Sequence, residues 1–314
     1  MNAAPDRCIP RTRQLRRSQF RIFMDTAVSI DLWSCPDDEE APRAIERAFG
    51  WFAHVEETCT RFDPASELSR LSGTVGRPVR VSALLFEALR FALAVAEATD
   101  GAFDPTVGAA MARRGFTRDF RTGRHVPGPA RPSGASWRDV QLDGARREVT
   151  LCRPLSLDLG GVAKGMALDL AGQEIGSCGS YAISAGGDLL FGGHDTGGEA
   201  WEVDVRHPGG PSALLARLRV HDTAVCTSGG HERPRPDGGP GHHLIDPRSG
   251  ASPSELISAT VIAPRAMLAD ALATAAHVLG SDALPVLEAQ GVDAYLVRST
   301  AQTVTTAGFE RWIA

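Results

Sequence analysis

The stretch LDLGGVAKGMALD, residues 157–169, passes from an apolar segment through a glycine pair into a helix-forming run. A Walker loop needs Gly-Lys-Ser/Thr after four free positions. Here the order is Lys164-Gly165, so that phosphate loop is excluded. A glycine pair between a strand and a helix still presents backbone N–H groups to an anion at the helix N-terminus, and Lys164 adds a positive charge. The same glycines equally serve a tight strand-to-helix turn. The helix is expected to begin near Ala163.

On the N-terminal side, DVQLDGARREVTL reads as a hairpin turning at Asp143-Gly144, and its second strand leads through PLSLDLGG into this helix. On the C-terminal side strands dominate: YAISAGGDLLFGG, WEVDVRHP, ALLARLRV, TAVCTSGG and, after a glycine-rich loop, SATVIAP. Two helices, at 267–280 and near 282–290, and the strand DAYLVRS finish the chain. Farther upstream, Val28, Ile30 and Leu32 alternate with polar neighbours as in a half-buried strand, and Ala44, Ile45, Ala48, Phe49, Phe52 and Val55 recur at helical spacing. Ser66 is placed to cap a short helix and Ser82 a long one over 83–98, which stops at Asp100-Gly101. Helices and strands come in runs rather than in strict alternation, which predicts an α+β fold with mixed or antiparallel sheets flanked by helices. Asp-Pro-x-x-Gly occurs at Asp104–Gly108 and again at Asp246–Gly250; chance repetition of a turn motif explains it, and so does an internal duplication.

The helix MLADALATAAHVLG, residues 267–280, carries Asp270, Thr274 and His277 on one narrow stripe, at ~100° per residue. A solvent-facing stripe accounts for this spacing. Such a stripe usually carries Lys, Glu or Arg, none of which is present, and an Asp one turn before a Thr also suits oxygen ligands on a buried face. In GHHLIDPRSG, with His231 and Glu232 upstream, the histidine spacing fits none of the usual zinc motifs, and a hydrogen-bonding or proton-accepting histidine suits it better.

Composition narrows the function class. The formal charge is -5, from Lys+Arg 33 against Asp+Glu 38, so nothing electrostatic favours nucleic acid. The basic N-terminal cluster RCIPRTRQLRRSQFR is followed by IFMDTAVSIDLW, in which Asp25 and Asp31 interrupt any export signal. No run approaches the ~18 apolar residues of a membrane span. The six cysteines lack regular spacing and suit free thiols in a reducing compartment, so a cytoplasmic location is expected. The domain reading is a disordered basic arm over 1–18 and one domain over 19–314, with the Arg, Gly and Pro-rich segment 113–136 as a surface loop insertion.

Taken in order, MDT (24–26), RFDPASELSRLS (61–72), GAFDPTVG (101–108), LDLGGVAKGMALD, AGGDLLFGG (185–193), TSGGHERP (227–234), HHLIDPRSG (242–250) and ADALATAA (269–276) resemble the ApbE family of flavin transferases. Each segment is weak alone, but eight in one order across most of the chain are specific. The resemblance implies an ApbE-like, T-fold-related α+β fold with two related halves. It implies magnesium-dependent cleavage of FAD, with FMN esterified to a threonine of a client flavoprotein and AMP released. Two alternatives stay open: hydrolysis of FAD to FMN and AMP, and flavin binding without catalysis.

By position, the resemblance makes Asp270 and Thr274 side-chain ligands of Mg²⁺ and gives Gly161 a backbone-carbonyl ligand. Asp158, Lys164, Met24, Phe62, Ala102, Phe103, Asp104 and Leu244 match positions that contact FAD. His243 falls at the histidine before the Asp-Pro turn and is expected to be the base for the attacking hydroxyl. The sequence departs from the family pattern at Asp25 for Gly, Ser72 for Asn, His231 for Tyr and Ser249 for Thr.

Overall fold

A computed structural model describes residues 16–33, 35, 37, 39–126, 134–195, 199–208, 214–231 and 233–314. Residues 1–15 of the basic arm, residues 127–133 of the loop insertion and Glu232 lie outside the described residues. The strand β1 (Arg16–Phe23) already includes residues 16–18, which the sequence reading gave to the arm. It turns into β2 (Thr26–Trp33) through Met24 and Asp25, whose φ angles of 50° and 60° are those of a two-residue hairpin turn. Asp is tolerated at such a position, which explains how a carboxylate stands where the family favours Gly.

The chain then forms α1 (Glu40–Cys59) and α2 (Glu67–Ser72), capped by Ser66, whose Oγ accepts the Ser69 N–H. A short β3 (Val79–Arg80) and α3 (Ala83–Ala98) follow, the latter capped by Ser82 through the Leu85 N–H. After α4 (Gly108–Arg113) come the hairpin strands β4 (Val140–Asp143) and β5 (Glu148–Leu151), which with β3 form a three-stranded sheet in the order β3-β5-β4. Next are α5 (Gly160–Ile175), β6 (Ser180–Ala185) and β7 (Asp188–Gly192), then the ribbon β8 (Trp201–Arg206) and β9 (Leu214–Val220). The last part is β10 (Ala224–Gly229), β11 (Leu256–Ala263), α6 (Ala266–Leu279), α7 (Ala283–Ala289), β12 (Asp293–Arg298) and β13 (Thr303–Thr305). The final short strand was not anticipated from the sequence, and YAISAGGDLLFGG is two strands joined at Gly186-Gly187, both at positive φ.

An antiparallel sheet of eight strands, in the order β1-β2-β6-β7-β10-β11-β12-β13, organises the molecule. Each half of it is a hairpin, intervening helices, then a second hairpin: β1β2, α1 to α5, β6β7, followed by β10β11, α6, α7, β12β13. Two related halves are therefore present in topology. The Asp-Pro-x-x-Gly motifs do not mark them, because Asp104 lies among the helices of the first half while Asp246 lies between β10 and β11 of the second. Both are local turns in which the Asp carboxylate accepts the N–H two residues on, at 2.8 Å from Thr106 and 3.0 Å from Arg248.

Val28, Ile30 and Leu32 point to the helical side and join one core with α1, α3, α5 and α6. The other face, bearing Trp33, Phe191, Val225 and Ile262, is covered by the β8–β9 ribbon through Trp201, Val203, Leu218 and Val220. Among the described residues no helix is long and apolar enough to cross a membrane.

The crossing of α5 over α6 positions the site. A methyl group on Gly165 would meet the Ala266 carbonyl oxygen and the Met267 Cα at 2.5 Å, so only glycine allows this approach. Asp169, one turn later on α5, accepts the Ala266 and Met267 N–H groups at 2.7 and 3.2 Å and so caps α6 from outside its own sequence. Gly→Ala inside a helix ordinarily stabilises by ~1 kcal/mol. Gly165→Ala is expected to destabilise instead, by about 1–3 kcal/mol, because the added methyl must push α6 away. The measurement is the urea midpoint at unchanged slope, and a midpoint at or above the wild-type value would refute this account of the crossing.

Candidate functional site

Helix α5 starts at Gly160, three residues before the expected Ala163, so the glycine pair forms its first turn rather than preceding it. Asp158 Oδ1 accepts the Gly160 N–H at 2.9 Å, and Asp158 Oδ2 accepts from Arg61 Nε at 2.6 Å. The next turn carries Lys164, whose ammonium is ion-paired with Asp188 and lies 3.3 Å from Asp270 Oδ1. Asp270 Oδ2 accepts the Gly165 N–H at 3.2 Å. One turn on, Thr274 Oγ1 lies 3.3 Å from Ser228 Oγ, and the bare Cα of Gly161 faces both Thr274 and the Phe103 ring. The sequence-derived set Gly161, Lys164, Asp270 and Thr274 is thus brought together.

The polar stripe of α6 faces inward. Asp270 is 4% exposed and His277 0%, which overturns the solvent-facing alternative. Asp188 and Ser228 were missed as site residues, although both lay within quoted segments. For Asp188 a signal was available: a carboxylate opening a strand whose remaining positions are apolar.

Asp188 also shapes the sheet. The β7–β10 ladder pairs Leu190 with Ala224 and Leu189 with Val225, and beyond it Asp188 Oδ1, not a backbone carbonyl, accepts the Thr227 N–H at 3.1 Å. The side chain takes over the ladder where the strands part. Two buried carboxylates share one ammonium here, and the side-chain oxygens of Thr274 and Ser228 lie beside them. That hard, net-negative set fits a small divalent cation such as Mg²⁺.

Lys164 also lines a cavity of about 650 Å³. Met24, Phe62, Phe116 and Phe120 supply apolar surface, and Arg61, Arg118 and Arg233 alternate with Asp25, Glu56, Asp119 and Asp158 around it. The Arg61 guanidinium also donates to the Phe116 carbonyl at 2.6 Å and stacks 4.1 Å from the Phe62 ring centre, tying three segments of the wall together. Met24 donates its N–H to Glu56 Oε1 at 3.0 Å, and burial pushes the Glu56 carboxyl above its ordinary range. A slot with aromatic and thioether surface among charged groups of both signs suits a flat heterocycle carrying polar substituents. Residues 115–120 of the loop insertion are part of this wall.

Four expected FAD contacts, Met24, Phe62, Asp158 and Lys164, line the cavity. Ala102, Phe103, Asp104 and Leu244 do not; all four are buried. Asp104 braces its turn, accepting from Thr106 Oγ1 at 2.7 Å and from the Trp137 N–H at 3.2 Å. Of the remaining family departures, Ser72 Oγ accepts the Leu157 N–H at 3.3 Å and Ser249 donates to Asp246 at 3.1 Å.

His243 is half-buried, its N–H donating to the carbonyl of the cavity-lining Arg233 at 3.0 Å, and belongs to a group of histidines: its ring centre is 6.3 Å from that of His242, which lies 5.4 Å from that of His277. Burial, helped by the nearby Arg233 charge, lowers the His243 pKa to about 3, so the ring is neutral near neutral pH. Burial likewise lowers His277 to about 4.

The sequence model of the ApbE family matches residues 24–296. The chain belongs to the ApbE family. Among its curated relatives, the FAD:protein FMN transferase of Treponema pallidum is 31% identical, with 96% of this chain and 90% of the relative covered. That of Chlamydia trachomatis is 29% identical over 83% of this chain and 81% of the relative. Among solved structures, the ApbE protein of Thermotoga maritima has a TM-score of 0.85 at 28% identity, covering 96% of this chain and 100% of that one. The flavin transferase ApbE of Vibrio cholerae, at 24% identity, shares the fold with a TM-score of 0.80 over 96% and 99% of the two chains.

Buried His277 gives this ApbE family member a pH signature. An unfolded histidine titrates near 6.5, so between that pH and about 4 the unfolded state binds more protons than His277 does in the fold. Stability is full above the upper limit and declines as pH falls through the window. His277→Gln is expected to flatten the fall of Tm with pH over this range; an unchanged slope would assign it to other groups.

Proposed function

We propose that this protein transfers FMN from FAD to a threonine of a client flavoprotein and releases AMP, with magnesium required. The observation that carries the reading is the dual position of Lys164. It lines the aromatic cavity and also pairs with the carboxylates of the oxygen-rich cluster, so a flavin in the first has its phosphates at the second. The family membership and the names of the relatives support the same reaction.

Gly161, Asp270 and Thr274 are the residues that would hold magnesium, which when bound supplies neutralisation of pyrophosphate charge. Lys164 contacts the same phosphates, and the N-terminal turn of α5 directs its N–H groups toward them. Met24 and Phe62 hold the flavin side, and the buried segment Ala102-Phe103-Asp104 supports the floor through the contact of Phe103 with Gly161. Leu244 keeps water from the histidine beside it. The client hydroxyl oxygen attacks the FMN-side phosphorus, its proton passes to the His243 imidazole, and the bond to the bridging oxygen breaks so that AMP leaves with that oxygen. Positioning and electrostatics carry such a step.

The test incubates the protein with FAD, Mg²⁺ and a flavoprotein domain bearing an acceptor threonine, following covalent flavin by in-gel fluorescence and free FMN by chromatography. Labelled client with AMP is the expected product. Free FMN without labelled client would replace transfer by hydrolysis, and recovery of intact FAD would leave a binding protein. Asp270→Ala should lower magnesium-dependent labelling at least about a hundredfold while thermal unfolding stays cooperative, and retained labelling would show that the ligand assignment is wrong.

A further inference from the structure

Asp188 opens β7 just after the Gly186-Gly187 turn and is 2% exposed. It is not among the residues that line the cavity beside Lys164, so it acts on anything bound there only through the Lys164 ammonium. Its two oxygens have separate tasks. Oδ1 accepts the Thr227 N–H at 3.1 Å, which ties the side chain to β10, and Oδ2 takes the ammonium. An uncharged acceptor would serve the first task equally well. Burying a full negative charge for the sake of one backbone N–H is costly, so the charge itself calls for a use.

That use lies on the other side of Lys164. Its ammonium is 3.3 Å from Asp270 Oδ1, and Asp270 is the carboxylate that would hold the divalent cation. A divalent cation there has an ammonium as its immediate neighbour, and together they bring more positive charge than Asp270 alone can balance. The repulsion is strong because Asp270 is 4% exposed and little water screens it. Neighbouring carboxylates are engaged elsewhere: Asp169 accepts the first N–H groups of α6, and Asp158 holds Arg61. The hydroxyls of Thr274 and Ser228 are neutral.

We propose that Asp188 is a positioning residue that lets Lys164 and the divalent cation share the site. Its charge holds the ammonium, so that Asp270 can take the cation without expelling Lys164 from the position in which it reaches the cavity. The inference rests on the magnesium-dependent reading above and adds to it a residue that acts through Lys164.

Asp188→Asn keeps an oxygen for the Thr227 N–H and removes the charge. Lys164→Met removes the opposing charge, so the double variant has the net charge of the wild-type cluster. The probe is Mn²⁺ alone, titrated into the full chain without FAD and followed by the electron paramagnetic resonance signal of the free ion. Asp188→Asn is expected to weaken Mn²⁺ binding about ten- to a hundredfold, Lys164→Met to strengthen it, and the double variant to return close to the wild-type affinity. A role confined to the sheet, or direct ligation of the metal by Asp188, gives no such rescue. Unchanged affinity in Asp188→Asn, or weakened affinity that Lys164→Met does not restore, overturns the proposal. Thermal unfolding checks that each variant is folded; where Lys164→Met by itself is not, the comparison of Asp188→Asn with the double variant decides. A wild-type protein that leaves the free Mn²⁺ signal unchanged defeats the magnesium reading, and the role of Asp188 with it, before any variant is compared.

Discussion

Two buried carboxylates held by one ammonium constrain this structure. Asp188 and Asp270 are 2% and 4% exposed, and burial of charge at that depth is costly unless each oxygen is satisfied. Lys164 pairs with both, and the Gly165 and Thr227 N–H groups satisfy further oxygens. The cluster therefore requires three things together: a glycine where α5 meets α6, a ladder that stops at Leu189, and a lysine in the second turn of α5. Loss of any one leaves a buried charge without its partner.

The cluster also lies at the seam between the two topological halves. Lys164, Gly161 and Asp188 come from the first half, and Asp270, Thr274 and Ser228 from the second. In the sheet the seam is the β7–β10 pairing, shorter than its neighbours because the Asp188 side chain replaces the backbone there. A half built as hairpin, helices and second hairpin has no reason to open at its own centre, but the junction of two such halves does. Sites form preferentially at such junctions, where polar groups from different elements converge without breaking either core.

Segments outside the repeat finish the walls. The 115–120 loop lends aromatic surface to the cavity beside Lys164, and the loop between β10 and β11 carries His243. Both are irregular, as expected of loops positioned by a rigid scaffold. Their mutual contact at Gly115 and Asp237 joins the first half to the second on the open side of the site, as the α5–α6 crossing does on the closed side.

Much of this was legible in the residues. Ser66 and Ser82 announced their helices by capping, Val28, Ile30 and Leu32 announced a strand by alternation, and the eight ordered segments announced the family and named the residues Gly161, Lys164, Asp270 and Thr274 that the fold brings together. Periodicity states which residues share a face, but not what the face meets. Asp270, Thr274 and His277 have the same spacing whether they look at water or at Lys164. The choice fell to Gly165, whose missing side chain lets α6 approach closely enough to bury the stripe. In the same way, Asp-Pro-x-x-Gly suggested a duplication that is real in the topology but not at those turns, since a turn motif reports only a few residues. The role of Asp188 depends on strands and helices distant in sequence, and only their packing decided it.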